Sequence, residues 1–253
     1  MNKFSSQVEN HNFYKMVMED WQPVIKKVHQ NKDYIPSENE RYSLSVFEWA
    51  MKIKDCFETL EHARVFLNYF RINKWYKQAG IGRSDYINYH YFNYAITVIR
   101  IMDVALILAN DTFRLGNPPR LCRIENIIEN SWVCSTGIDE LLKKLNSIVE
   151  PWRKPRNLFV HRGDKLDISG QRQDSDLLFL LEAQDLFSEQ NKLIADTSPA
   201  DIKRWYKSVV SGIFGEFDQT ERPLLDVTSE LFSELLPIYR FWYEMLTETS
   251  KNS

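Results

Sequence analysis

The sequence predicts an all-helical fold, and three observations carry that expectation. Apolar residues recur at spacings of three and four along most of the chain. Strict apolar–polar alternation, the mark of a half-buried strand, is nowhere sustained. The 253 residues include only 8 glycines against 13% aromatic residues, whereas loop-rich and all-β chains need glycine where turns reach positive φ. An apolar fraction of 43% is enough for a substantial core in one large domain.

The first helix is predicted from Phe13 to Val28, where Phe13, Val17, Trp21, Val24, Ile25 and Val28 form one apolar stripe, and Pro36 lies in the polar stretch that closes it. A longer pattern runs from Leu44 to about Tyr76 through Phe47, Met51, Phe57, Leu60, Phe66 and Phe70, and breaks at Gly80 and Gly82. Ser84 is the expected N-cap of a helix reaching about Phe113. Tyr94, Ala95, Val98, Ile101, Met102, Ala105 and Leu108 make that helix too broadly apolar for a surface position, so it should be central. Gly116, Pro118 and Pro119 end it.

A short element is expected over 124–132. Thr136 is the expected cap of a helix carrying Ile138, Leu141, Leu142, Leu145, Ile148 and Val149, with Asp139 and Glu140 near its positive end. Pro151 and Pro155 should interrupt the chain after that helix, and the helix containing Leu158 to His161 should stop at Gly163. Beyond it come a polar connection over 164–175, an apolar run over 177–187, a helix start at Ser198-Pro199-Ala200-Asp201, and two final helices around 202–217 and 227–247. There is no internal repeat or low-complexity tract.

A formal net charge of -3 argues against a protein that coats nucleic acid by bulk electrostatics, so any RNA contact must be local. Cys56, Cys122 and Cys134 form neither a C-x2-C pair nor a cluster with histidine, so no zinc site and no disulfide framework is expected. No metal and no cofactor are anticipated, because the carboxylates show no two-metal spacing and no Walker-type glycine loop occurs. The first residues lack the apolar stretch of a signal peptide, and the run Val104–Ala109 is too short to span a bilayer. A cytoplasmic protein without a membrane anchor is the expectation.

One segment reads as a site: Arg156-Asn157-Leu158-Phe159-Val160-His161. On a helix, Asn157 and His161 share a face, Arg153 extends that face by one turn, and Arg156 lies about 140° from His161. Long guanidinium groups can swing round the helix, so Arg153, Arg156, Asn157 and His161 can meet at one phosphate. Arginine supplies a bidentate fork for phosphate oxygens, and imidazole exchanges protons near neutral pH. Asn157 would orient a substrate oxygen or the imidazole. If Pro155 opens a helix, free backbone N–H groups beside Arg156 add to anion binding; the alternative is a helix kinked at Pro155.

Arg83 and His90 form a second Arg-to-His pair that reads as structure, as do His29 and His62. Arg71, Lys74, Lys77 and Arg83, with Trp75 and Tyr76 between them, have the composition of a single-strand RNA surface, although a solvated helix end is the commoner reading of such a run. The same discount applies to Arg114, Arg120 and Arg123.

Arg156-Asn157, an apolar triplet and then His161-Arg162-Gly163 resemble the Arg-x4-6-His motif of the HEPN superfamily, in which a polar residue commonly follows the arginine. The resemblance implies an antiparallel helical bundle of HEPN type over residues 84–247, with residues 1–83 as additional N-terminal helices packed on it. It implies a metal-independent endoribonuclease, active as a homodimer whose motif helices share a composite cleft, with a role as toxin or defence effector. By the same resemblance Arg156 and His161 are catalytic, Asn157 supports them, Arg153 and Arg162 contact RNA, and an antitoxin or a nucleotidyltransferase is a conceivable partner. The superfamily also includes non-catalytic modules that bind nucleotide, RNA or protein, and that alternative stays open.

Overall fold

In the computed structural model the described residues are 3–71, 73–162, 180–181 and 198–251. They form helices and no strand. In chain order these are α1 (Phe4–Glu9), α2 (Asn12–Gln30), α3 (Glu38–Asn68), α4 (Lys74–Gln78), α5 (Arg83–Thr112), a 3-10 turn (Pro119–Leu121), α6 (Ile124–Ile128), α7 (Ser131–Ser135), α8 (Ile138–Arg162) and α9 (Pro199–Lys251).

Local chemistry explains where these helices begin. The Ser37 backbone N–H donates to Glu40 Oε2 at 2.8 Å, which is one arm of a capping box at the start of α3. The same device opens α5, but two positions earlier than expected: the Gly82 N–H donates to Asp85 Oδ2 at 3.1 Å, and Ser84 is buried in the first turn rather than capping it. Ser198 caps α9, its Oγ accepting from the Asp201 N–H at 3.1 Å. Thr136 does not start α8. It ends α7, and Gly137, at φ 76°, reverses the chain into α8 in a conformation costly for a residue with a Cβ.

Two expected breaks are absent. Pro151 and Pro155 lie inside one continuous α8, and the two helices expected near the C-terminus are a single α9 that passes through Pro223 and Pro237. Proline in a helix interior removes a hydrogen bond and costs about 3 kcal/mol, so packing must outweigh local preference at these positions. The expected stop at Gly163 and the segments expected over 164–187 fall outside the described residues, apart from Leu180 and Leu181.

The chain divides into two compact units. Unit 1 comprises residues 1–58, 98–150 and 222–253, and unit 2 comprises 59–97 and 151–221. Each draws on both sides of residue 83. In unit 1, Phe13 meets Phe232 at 4.9 Å between centroids and Tyr42 stacks on Tyr239 at 5.4 Å, around fully buried Ile101, Leu142, Leu145 and Leu235. In unit 2, Tyr94 and Phe217 stack at 3.5 Å and 3°, with Trp152 5.0 Å from Tyr94. The α5 helix is long and apolar enough to cross a membrane, but most of that apolar stretch is buried against protein, as for the central helix that its composition predicts.

Candidate functional site

The α8 sequence repeats by sevens. Ile138, Leu145, Trp152 and Phe159 form one row, and Leu142, Val149 and Arg156 the next. Leu142, Leu145 and Val149 are fully buried, Trp152 is buried, and Phe159 is 36% exposed. Burial therefore fades toward the end of the helix. At that point a guanidinium takes the place that leucine and valine hold in the earlier turns.

Two ring contacts fix the rotation of this segment. The Trp152 indole N–H donates to Thr220 Oγ1 at 3.1 Å, and Phe159 stacks on Phe92 of α5 with centroids 4.1 Å apart and planes 14° apart. Such stacked pairs add about 0.5–1.5 kcal/mol beyond the area that they bury. With Trp152 and Phe159 anchored, Arg156 is half-buried at the edge of the packed face, whereas Asn157 and His161 are exposed. Arg156 Nη1 donates to Asn157 Oδ1 at 3.0 Å, which draws the guanidinium toward the exposed flank.

The structure thus brings Arg156 and Asn157 together and places His161 one turn beyond Asn157 on the same flank. Among the described residues no hydrogen bond joins His161 to either. Arg153, one turn before Asn157, is half-buried and has an interaction of its own. Arg162 is the last residue of α8, and its side chain lies outside the described residues.

Because α8 is unbroken, no helix N-terminus lies beside Arg156, and the expected backbone contribution to anion binding is corrected. Pro151 and Pro155 cannot donate to the carbonyls of Ser147 and Pro151, so the backbone offers extra acceptors there rather than donors. Phosphate binding falls to side chains. The heptad rows are the sequence signal for a continuous helix, and they outweigh the isolated prolines.

The second Arg-to-His pair is structural. His90 is buried beside Phe66 at 4.9 Å and Tyr86 at 4.4 Å, burial lowers its pKa, and its Nδ1 is buried without a hydrogen-bond partner. His29 and His62 are exposed. An open depression of about 500 Å³ in unit 1, lined among others by Glu38, Arg41, Tyr42, Asp111 and Arg114, contains no motif residue. Asp111 there accepts from Ser45, Trp49 and Asn110, and Arg114 pairs with Glu38, so its charges hold the end of α5 in place. Among the described residues no three His, Cys, Asp or Glu side chains are placed to hold a metal ion.

Residues 42–192 match the family model described as Cthe2314-like HEPN, a span that covers more than half of the chain and includes all of the motif. No curated protein and no solved structure matches the chain.

Proposed function

Because the chain belongs to the Cthe2314-like HEPN family, we propose that it is a metal-independent endoribonuclease whose reacting groups are Arg156 and His161. The observation that carries this reading is the end of α8, where stacking of Phe159 on Phe92 holds a half-buried Arg156, hydrogen-bonded to Asn157, one turn before an exposed His161. A cation braced by a neutral amide and a solvent-facing imidazole suit phosphodiester chemistry.

The reaction is internal transesterification of RNA. The 2′-oxygen forms a bond to phosphorus as the bond from phosphorus to the 5′-oxygen breaks. A base removes the 2′-hydroxyl proton, and an acid delivers a proton to the departing 5′-oxygen. The products are a 2′,3′-cyclic phosphate and a 5′-hydroxyl, with no change of oxidation state. Arg156 stabilises charge on the non-bridging oxygens, His161 carries out one proton transfer, and Asn157 keeps the guanidinium directed at the phosphate. Arg153 and Arg162 hold flanking phosphates.

Five residues of helix turn Arg156 and His161 about 140° apart, so one copy presents them to different sides. A homodimer that sets two motif helices face to face supplies the arginine from one copy and the second proton-transfer group from the other. Incubation of the purified protein with a mixed-sequence RNA in EDTA tests the proposal. The expected products carry cyclic phosphate ends, and light scattering should give a dimer. RNA or nucleotide that is retained but never cut would favour the non-catalytic binding module. Growth arrest on expression of wild type, but not of His161→Ala, would support a toxin or defence role.

A further inference from the structure

Residues 65–84 are a basic stretch in an acidic chain. They contain Arg71, Lys74, Lys77 and Arg83 and no Asp or Glu, although the whole protein has a formal net charge of -3. Arg71, Lys74 and Lys77 are exposed. The same part of unit 2 carries the most exposed aromatic rings among the described residues: Tyr69 at 71%, Trp75 at 66% and Tyr89 at 65%.

These rings border a connected aromatic array. Phe70 lies 4.1 Å from Tyr86, 5.8 Å from Tyr76 and 5.8 Å from Tyr206, and His90 lies 4.4 Å from Tyr86 and 5.1 Å from Tyr89. Hydrogen bonds hold the backbone that carries them. Asn73 Oδ1 accepts from the Trp75 and Tyr76 N–H groups, and the Tyr206 hydroxyl donates to the Leu67 carbonyl at 2.6 Å. Lys74 Nζ sits 4.9 Å from the centre of the Trp75 ring, so a cation and a π-face are offered together.

Exposed rings interleaved with cations, with the acid nearest in sequence, Asp85, engaged by the Gly82 N–H, fit a strand whose bases are unpaired: each base has a face to stack and each phosphate a charge to neutralise. A duplex keeps its base faces inside the helix and cannot use the rings. We propose that Tyr69, Trp75 and Tyr89, with Arg71, Lys74 and Lys77, form the surface on which the protein holds single-stranded RNA. The inference rests on the RNA reading of the α8 motif but uses none of its residues.

The test is fluorescence anisotropy of a labelled mixed-sequence 12-nucleotide RNA, single-stranded or annealed to its complement, in EDTA with the His161→Ala protein, so that cleavage does not interfere. Single strand should bind more tightly than duplex. Tyr69→Ala and Trp75→Ala should each weaken binding about 5- to 150-fold. Lys74→Glu with Lys77→Glu should lower the slope of log affinity against log salt by about 1.4, as expected when two phosphate contacts to a single strand are lost. Circular dichroism melts confirm that each variant is folded. Equal affinity of Trp75→Ala and its parent, equal affinity for duplex, or no RNA binding by the parent overturns the proposal and leaves the surface to a protein partner. Failure of the α8 reading looks different: wild type does not cut RNA, while ring-dependent binding persists.

Discussion

Glu40 in unit 1 and Glu221 in unit 2 are both buried carboxylates that face a cation, yet they respond to burial in opposite ways. Burial disfavours the charge of Glu40, but Lys27, Tyr34 and both the N–H and hydroxyl of Ser37 donate to it, and its pKa falls to about 2. Burial dominates at Glu221. Arg64 Nε reaches both carboxylate oxygens at 3.0 and 2.8 Å, but Arg64 also pairs with Asp218, and the pKa of Glu221 rises. A countercharge alone therefore does not decide which protonation state is favoured: donors from three residues outweigh burial at Glu40, whereas Glu221 is more deeply buried and its donors do not outweigh that cost. Unit 1 surrounds its carboxylate with donors from the end of α2, the connection after it and the start of α3, whereas unit 2 shares one guanidinium between two acids, carries a histidine nitrogen without a partner, and also carries the exposed end of α8.

The sharpest way to separate these roles is within unit 2. His161→Ala should lower RNA cleavage by about 10²–10⁴-fold. Its stability should stay within about 0.5 kcal/mol of wild type, because the side chain is exposed. Arg156→Lys keeps the charge, loses the fork and should also cut poorly. Cleavage of RNA by His161→Ala at the wild-type rate in EDTA would end the assignment.

Arg64→Ala should do the reverse. It strands Glu221, at 1% exposure, and should cost about 3–5 kcal/mol of stability. Urea unfolding measures it directly. A loss under about 1 kcal/mol would mean that Glu221 takes up the proton that its raised pKa favours and needs no partner, and that the pair with Arg64 does not hold this part of unit 2 together.

The same network explains what was legible in the sequence. The apolar stripes of α2, α3, α5 and α8 lie where periodicity places them, and Gly116 and Gly137, at φ 75° and 76°, mark real chain reversals. What periodicity hides is tertiary. Residues 218–223, Asp-Gln-Thr-Glu-Arg-Pro, look like a polar break between two helices, but Thr220 accepts from Trp152, Glu221 receives Arg64, and α9 continues. Partners distant in sequence bury Thr220 and Glu221 inside an otherwise exposed polar run. For the candidate site, the residue types, the flank shared by Asn157 and His161 and the heptad row of Arg156 are readable in the sequence, whereas the hydrogen bond from Arg156 to Asn157 and the stacking of Phe159 on Phe92 need the packing.

Acid titration sharpens the comparison at smaller amplitude. The folded pKa of Glu40 lies below the ordinary carboxylate value, so its contribution is complete above about pH 4.3, the ordinary glutamate value, and is lost as pH falls toward about 2. Glu221 has the opposite sign: its contribution is present below the ordinary value and declines as pH rises through its higher folded pKa. Glu40→Gln should therefore flatten the acid limb of stability, and Glu221→Gln should leave that limb steeper than in Glu40→Gln. Denaturant midpoints measured between about pH 5 and 2.5 check both, and parallel curves for the two variants would refute the opposed signs.

The smallest expected effect concerns His90 of unit 2, which burial holds below its ordinary pKa. A lowered folded pKa means that the neutral ring is favoured in the native state, so its contribution is complete above about pH 6.5 and is lost as pH falls through the folded value. His90→Phe keeps a ring between Phe66 and Tyr86 and removes the buried Nδ1 that has no partner. An unsatisfied buried polar atom costs about 1–3 kcal/mol, and part of that should return, giving a gain of about 1 kcal/mol near pH 5.5 and less at about pH 7.5. Cleavage should change little, because phenylalanine keeps the ring that packs against Tyr86 and Tyr89 in the aromatic array. His11 of unit 1 also has a pKa lowered by burial, so wild type should retain some pH dependence through this range after the substitution. If His90→Phe leaves the slope of stability between about pH 6.5 and 5 as it is in wild type, the titration belongs to His11, and the weak point of the fold lies in unit 1 instead.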